Sequence, residues 1–269
     1  MAALKSLQPA IGALIRNPII VLLVGLFGLI QLPQFALQST HPLVAGLISL
    51  GISAVMVLVI PFFLGGLIGM ADEALDGRTD VGTLVTEGKS NYITLLLAYL
   101  AILAVNVVFG FVAFFVAIIG GIGVFVGEGQ PGVAALGALA IVAILFVLVY
   151  LLVAFVVQFY PHAIVLSDSG LVGGFKRSIG LVRQNLLSVT GYTLIVLAGS
   201  LIFGGVGGVA SILLAPQPPG FPIPDLSLLV LAGLAIVYVL ALAVLGGFYA
   251  TYSVAFYRSI EGTFPPAHS

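Results

Sequence analysis

The chain has 269 residues, 61% of them hydrophobic and only 6% charged, with a mean hydropathy of +1.32 and a formal net charge of -1. A soluble domain carries roughly 25% charged residues, so most of this chain's surface must face lipid, and its charge gives no reason to expect a nucleic-acid partner. The absence of cysteine excludes disulfides, thiolate nucleophiles and cysteine-ligated metals together.

The chain begins with a short segment in which Leu4, Leu7, Ile11 and Leu14 share one helical face, followed by Arg16-Asn17 and an apolar run. A basic start before an apolar stretch has the outline of a secretory leader. The small-x-small cleavage pattern is missing from the "QLPQFALQST" that follows, so the run reads as a retained first span. Apolar runs of about 20 residues or more then recur along the chain. They give spans at Pro18–Leu37, Leu43–Met70, Tyr92–Val126, Val133–Leu166, Val189–Ala215 and Leu226–Phe256. The fourth is longer than a bilayer needs, and Pro161 is its expected breaking point. Turn-forming segments at 31–42, 127–132 and 215–225 close three hairpins and carry no Lys or Arg. All eight basic residues fall on the opposite side: Lys5, Arg16, Arg78, Lys89, Lys176, Arg177, Arg183 and Arg258. The positive-inside rule then puts both termini and both long loops in the cytoplasm of a multi-pass cell (plasma) membrane protein.

Between the second and third spans lies "ADEALDGRTD", where Asp72, Asp76 and Asp80 are four apart. Stacked on one helical face they could hold Mg²⁺, and the loop faintly resembles the paired-Asp motif of CDP-alcohol phosphatidyltransferases. The upstream D-G-x-x-A-R element is absent and Gly77 would interrupt the helix, so a solvated loop is the simpler reading. Asn106 is the one strongly polar side chain near the middle of a span, and hydrogen bonding between helices accounts for it. Ser200/Gly204/Gly208, Gly65/Gly69 and Gly123/Gly127 have the small-xxx-small spacing of close helix packing. Gly205–Ala210 formally matches G-x-G-x-x-A, but no strand precedes it and the dinucleotide reading fails.

The densest cluster of charge is in 167–188. There Leu171, Phe175, Ile179, Val182 and Leu186 form one apolar stripe, with Lys176, Arg177 and Arg183 off it and Ser167-Asp168-Ser169 as N-cap candidates. A cationic amphipathic helix lying on a bilayer has this form, and its basic residues are candidates for binding anionic lipid or a partner. A topology signal that merely links two spans has the same form. Three leads share a pattern: Arg16-Asn17, Lys89-Ser90-Asn91 and Arg183-Gln184-Asn185 each run into a span. The chain can therefore be written as one six-span domain over 1–269, built from repeats at 1–71, 72–166 and 167–260.

The third lead, "AIVLSDSGLVGGFKRSIGLVRQNLLSVTG", also resembles the signature of the glycerophosphodiester-phosphodiesterase membrane-domain superfamily. The residues that carry the likeness are Ile164, Val165, Gly170, Phe175, Arg177, Ser178, Leu181, Val182, Arg183 and Asn185. The low-charge spans are similar to members described as haloarchaeal multi-pass proteins of unknown function. The resemblance implies a helical membrane fold and no catalytic activity, because the catalytic barrel of the namesake proteins has no counterpart here.

Catalytic chemistry finds little support. The chain lacks G-x-S-x-G and H-E-x-x-H, and His41, His162 and His268 are far apart, His162 at an interfacial position suited to snorkelling. The expectation is an all-α polytopic membrane protein with no catalytic residue, cofactor or metal. It would be a scaffold or accessory protein meeting anionic lipid, a protein partner or a second copy. A transporter of a neutral or lipid-like solute and a Mg-dependent lipid enzyme are the alternatives.

Overall fold

Long apolar runs in a chain this poor in charge leave the backbone only one way to satisfy its polar groups within lipid, which is to hydrogen-bond inside helices. The computed structural model describes residues 2–30, 42–125, 133–214 and 228–262, and among these it is helical with no strand. The hairpin tips, and with them His41 and Gly127, lie outside the described residues, as does His268. In chain order the helices are α1 (Ala2–Lys5), α2 (Leu7–Arg16), α3 (Pro18–Leu29), α4 (Pro42–Asp76), α5 (Val81–Ser90) and α6 (Tyr92–Phe125). They continue as α7 (Val133–Val157), α8 (Tyr160–Leu166), α9 (Leu171–Gln184), α10 (Leu186–Leu214) and α11 (Leu228–Glu261).

Among the described residues four helices are long and apolar enough to cross a membrane: α4, α6, α7 continued by α8, and α11. The count reaches six if α1–α2 with α3, bent by 83°, and α9 with α10, bent by 102°, each form one span. This is a membrane protein. The break expected at Pro161 is present: α7 ends at Val157, and Pro161 sits in the first turn of α8, where its missing N–H costs nothing.

Each lead ends on an asparagine. Asn17, Asn91 and Asn185 are the C-cap residues of α2, α5 and α9. In every case the side-chain Nδ2 and the backbone N–H both donate to the carbonyl four residues back, that of Ala13, Glu87 or Leu181. In every case, too, the asparagine carbonyl accepts an N–H from the next helix, that of Ile20, Leu95 or Val189. One residue thus closes the lead and opens the helix that follows.

Burial is concentrated where these leads gather. Phe159 sits among His162, Tyr192, Phe256 and Tyr257, with ring centroids 5.4 to 6.2 Å away. Tyr192 stacks on Phe256 at 4.5 Å, and Tyr252 donates to the Ala3 carbonyl at 3.1 Å, tying α1 to α11. Away from this end the large side chains lie open, as Leu47, Phe111, Leu148 and Leu201 do. Lipid is as good a solvent for them as protein is.

That same solvent decides which face of the first lead packs. Leu4 and Ile11, read in sequence as part of one apolar helical face, are 60% and 47% exposed, while Ala3, Ser6, Ala10 and Ala13 are buried. Small residues let α1 and α2 approach α11 closely; large ones lose nothing by facing hydrocarbon. The glycine expectations divide in the same way. A Cβ on Gly65 would meet Leu95 at 2.8 Å, and one on Gly69 would collide with Glu87. At Gly204 and Gly208 it would meet nothing within 4 Å among the described residues. Glycines not singled out in sequence carry other contacts: Gly25 faces Ala243, Gly246 faces Val24, and Gly66 faces the Leu84 backbone.

Gly66→Ala should therefore destabilise the α4–α5 contact by about 1–3 kcal/mol, the usual cost of overpacking, whereas Gly204→Ala should be neutral. Thermal unfolding of the two variants beside the wild type in one detergent reads the contrast.

Candidate functional site

Lys176, Arg177 and Arg183 all lie on α9, but the fold separates them. One face of α9, Gly174, Ser178, Leu181 and Val182, is buried against α7 and α8, and Phe175 stacks on Tyr160 at 4.9 Å. Of the stripe read in sequence only Val182 is fully buried; Leu171, Phe175 and Ile179 are half-buried and Leu186 is exposed, so the packed face is rotated from that stripe. Lys176 and Arg183 point outward and are exposed, beside exposed Val172 and Leu187.

Arg177 is turned inward. Its Nη2 donates to Glu261 Oε1 at 2.7 Å and its Nε to the Tyr257 hydroxyl at 3.3 Å, with only 13% of the arginine side chain exposed. Ser167 donates to the same Glu261 oxygen at 2.6 Å and lies 2.9 Å from the Tyr257 hydroxyl. This network ties the middle of α9 and the end of α8 to the last turn of α11. Ser167-Asp168-Ser169 does not cap α9, whose N-cap is Gly170 without a side-chain bond. Asp168 instead takes φ 45°, a left-handed conformation that Asp tolerates, and the Ser169 N–H returns to the Ala163 carbonyl to close α8.

The three aspartates are also parted. Asp72 and Asp76 remain on α4, where Arg258 of α11 bonds both, reaching the two Asp76 oxygens at 2.9 and 2.8 Å. Gly77 ends α4 as expected, and Asp80 becomes the N-cap of α5, accepting from the Thr83 N–H at 3.2 Å. A cleft of about 540 Å³ beside them is lined by Asp72, Glu73, Glu87, Thr83 and Thr86 among others. Glu73 accepts from Thr83 and Glu87 from Asn91, so these carboxylates have partners within the chain. Among the described residues no three His, Asp or Glu side chains come together in a way that could hold a metal ion.

His162 does not snorkel. It is 6% exposed, bonded through Nε2 to Ser253 at 3.0 Å and stacked on Tyr257 at 5.5 Å. Asn106 accepts from the Tyr150 hydroxyl at 2.9 Å, the bond between helices that its sequence position suggested. Sequence reading missed Ser178 as a joint. Its hydroxyl accepts from the Phe159 N–H at 3.1 Å and donates to the Val156 carbonyl at 3.0 Å. It thereby satisfies the two backbone groups that the α7–α8 break frees. The signal was present in the R-S pair of the resembling motif, read there as a signature without a role. Arg16 and Asn17 likewise hold the end of α4: Arg16 donates to the Ala74 and Leu75 carbonyls, and Asn17 bonds the Gly77 carbonyl and the Thr79 N–H.

A family model described as a domain of unknown function, DUF7847, matches residues 1–260. No curated protein and no solved structure matches the chain.

Ser178→Ala would leave the Phe159 N–H and the Val156 carbonyl buried without partners, at a cost of about 1–3 kcal/mol. Arg177→Ala should cost a similar amount by stranding Glu261, with or without anionic lipid, and Lys176→Ala almost nothing in detergent alone. Melting curves in detergent with and without anionic lipid separate these effects.

Proposed function

The chain belongs to the DUF7847 family, and from that premise we propose that it is a non-enzymatic scaffold or accessory protein of the cell membrane. In this reading it crosses six times, with both termini and all three leads on the cytoplasmic side. The three lead-plus-hairpin units at 1–71, 72–166 and 167–260 are repeats, which the recurrent asparagine joint at residues 17, 91 and 185 supports. The absence of Lys and Arg from the hairpin tips supports the orientation.

The single observation that carries the function is the division of labour on α9. Arg177 holds the fold together, while Lys176 and Arg183 stand free of the ion pairs on a helix that bends by 102° into the next one. A lead running across the bundle in this way lies along the headgroup layer, with Val172 and Leu187 dipping toward hydrocarbon and the two cations at phosphate level. Lys5 and Lys89 stand similarly exposed on the other leads. Each cation near an anionic surface contributes about 1 kcal/mol. The bound chemistry is the phosphate of an anionic lipid.

An apolar groove of about 420 Å³ between α10 and α11, reached by Ser200 and Tyr249, favours a second reading, in which a neutral lipid-like solute is bound or moved. The lipid-enzyme alternative draws less support, because its aspartates are engaged by Arg258 and by the α5 cap.

Protein reconstituted in phosphatidylglycerol nanodiscs should melt higher than in phosphatidylcholine nanodiscs. In Lys176→Ala/Arg183→Ala the difference should shrink by about 2 kcal/mol, with melting in phosphatidylcholine unchanged. A double variant that keeps the whole difference would refute the lipid contact, and stabilisation by Mg²⁺ would revive the enzyme.

A further inference from the structure

The hairpin of α6 and α7 stands out from the rest of the bundle. In the most apolar 18-residue stretch of each helix no residue is buried, against half of them in α11. Exposed apolar side chains need no explanation in lipid. An exposed amide does, and this hairpin has one. Asn106 donates one amide hydrogen to the Ile102 carbonyl at 2.9 Å and accepts from the Tyr150 hydroxyl at 2.9 Å, with both side chains exposed. Its second amide hydrogen and second carbonyl lone pair have no partner among the described residues. Asn106 is fourteen residues into α6, or about 21 Å along it at 1.5 Å per residue. That depth lies inside a hydrocarbon layer of about 30 Å, beyond the reach of water and headgroups.

The helix beside this amide is shaped for close approach. Asn106, Gly110, Ala113 and Ala117 follow at spacings of four, three and four, which is one face, and all four are exposed. A Cβ on Gly110 would meet nothing within 4 Å. Another backbone can therefore come near enough to reach the Asn106 side chain.

We propose that this strip docks a second copy of the chain, the two Asn106 amides pairing across a twofold axis inside the bilayer. The choice of a second copy follows from the chemistry of the group. A carboxamide carries both donor and acceptor, so two identical ones satisfy each other when related by twofold symmetry, each donating to the other's Oδ1. An acyl chain at that depth offers neither. A different membrane protein would need a polar group of its own at the same depth, whereas the second copy brings one by identity. The docked pair also covers Gly110 and Ala113, where dispersion between closely approaching helices adds to the hydrogen bonds.

The chain has no cysteine, so an introduced one reports proximity without background. In nanodiscs large enough for two copies, Gly110→Cys should form a disulfide-linked dimer on oxidation. Val108→Cys, at the same depth on the opposite face, should not. Adding Asn106→Leu to Gly110→Cys should reduce the dimer about three- to tenfold. Adding Tyr150→Phe, which removes the bond within the hairpin but keeps the amide, should preserve it. Equal cross-linking at 108 and 110, no cross-linking at 110, or loss with Tyr150→Phe as complete as with Asn106→Leu would each overturn the proposal. So would capture at position 110, in native membranes, of a band of different mass in place of the dimer.

Discussion

Three asparagines carry the constraint on which the remaining architecture depends. A helix that lies across the bundle and then turns into it exposes the last carbonyls of one helix and the first N–H groups of the next. Near a bilayer these groups cannot count on water. Asn17, Asn91 and Asn185 each supply a side-chain donor to the helix behind and a carbonyl to the helix ahead. Glycine could make the turn but offers no side-chain donor, and proline offers no N–H. With the joints closed in this way, three short leads can gather at one end of the bundle and form a core that the spans alone would lack.

The end of α11 is where those leads meet. Tyr257 and Glu261 hold α8 and α9 through Ser167 and Arg177, and Arg258 holds the end of α4 through Asp72 and Asp76. The partly buried pairs are worth having here because breaking one leaves a charge without a partner in a poorly hydrated place. Arg16 and Asn17 add a brace from the first lead to the turn after α4. These contacts, far apart in sequence, join α2, α4, α8, α9 and α11 into one body. The apolar outer reaches of the helices need no such fastening, since lipid takes the place of a partner.

The stretch from Ile164 to Asn185 gains a physical meaning from this. Ile164, Leu181 and Val182 are core residues, Phe175 stacks on Tyr160, Ser178 splices the α7–α8 break, Arg177 pairs with Glu261, and Asn185 turns the chain. Arg183 alone among the polar motif residues faces outward. A signature of this composition specifies a way of joining a short lead to a span. Its presence in a chain is evidence of architecture.

The helical class, four of the long apolar spans, the Pro161 break and the basic–asparagine leads were legible in the sequence. They follow from local rules: bilayer thickness, missing proline N–H groups, and the periodicity of side chains along a helix. Which face of each lead turns inward was not legible. Hydrophobicity separates core from surface only when the surface is water, and here Leu4 and Ile11 have no reason to prefer protein over lipid while Ala3 and Ala10 pack where backbones approach. Nor could spacing alone part Arg177 from Lys176, or show that Asp72 and Asp76 share one arginine. Those assignments depend on where Glu261 and Arg258 arrive from the far end of the chain, and only the tertiary structure brings them there.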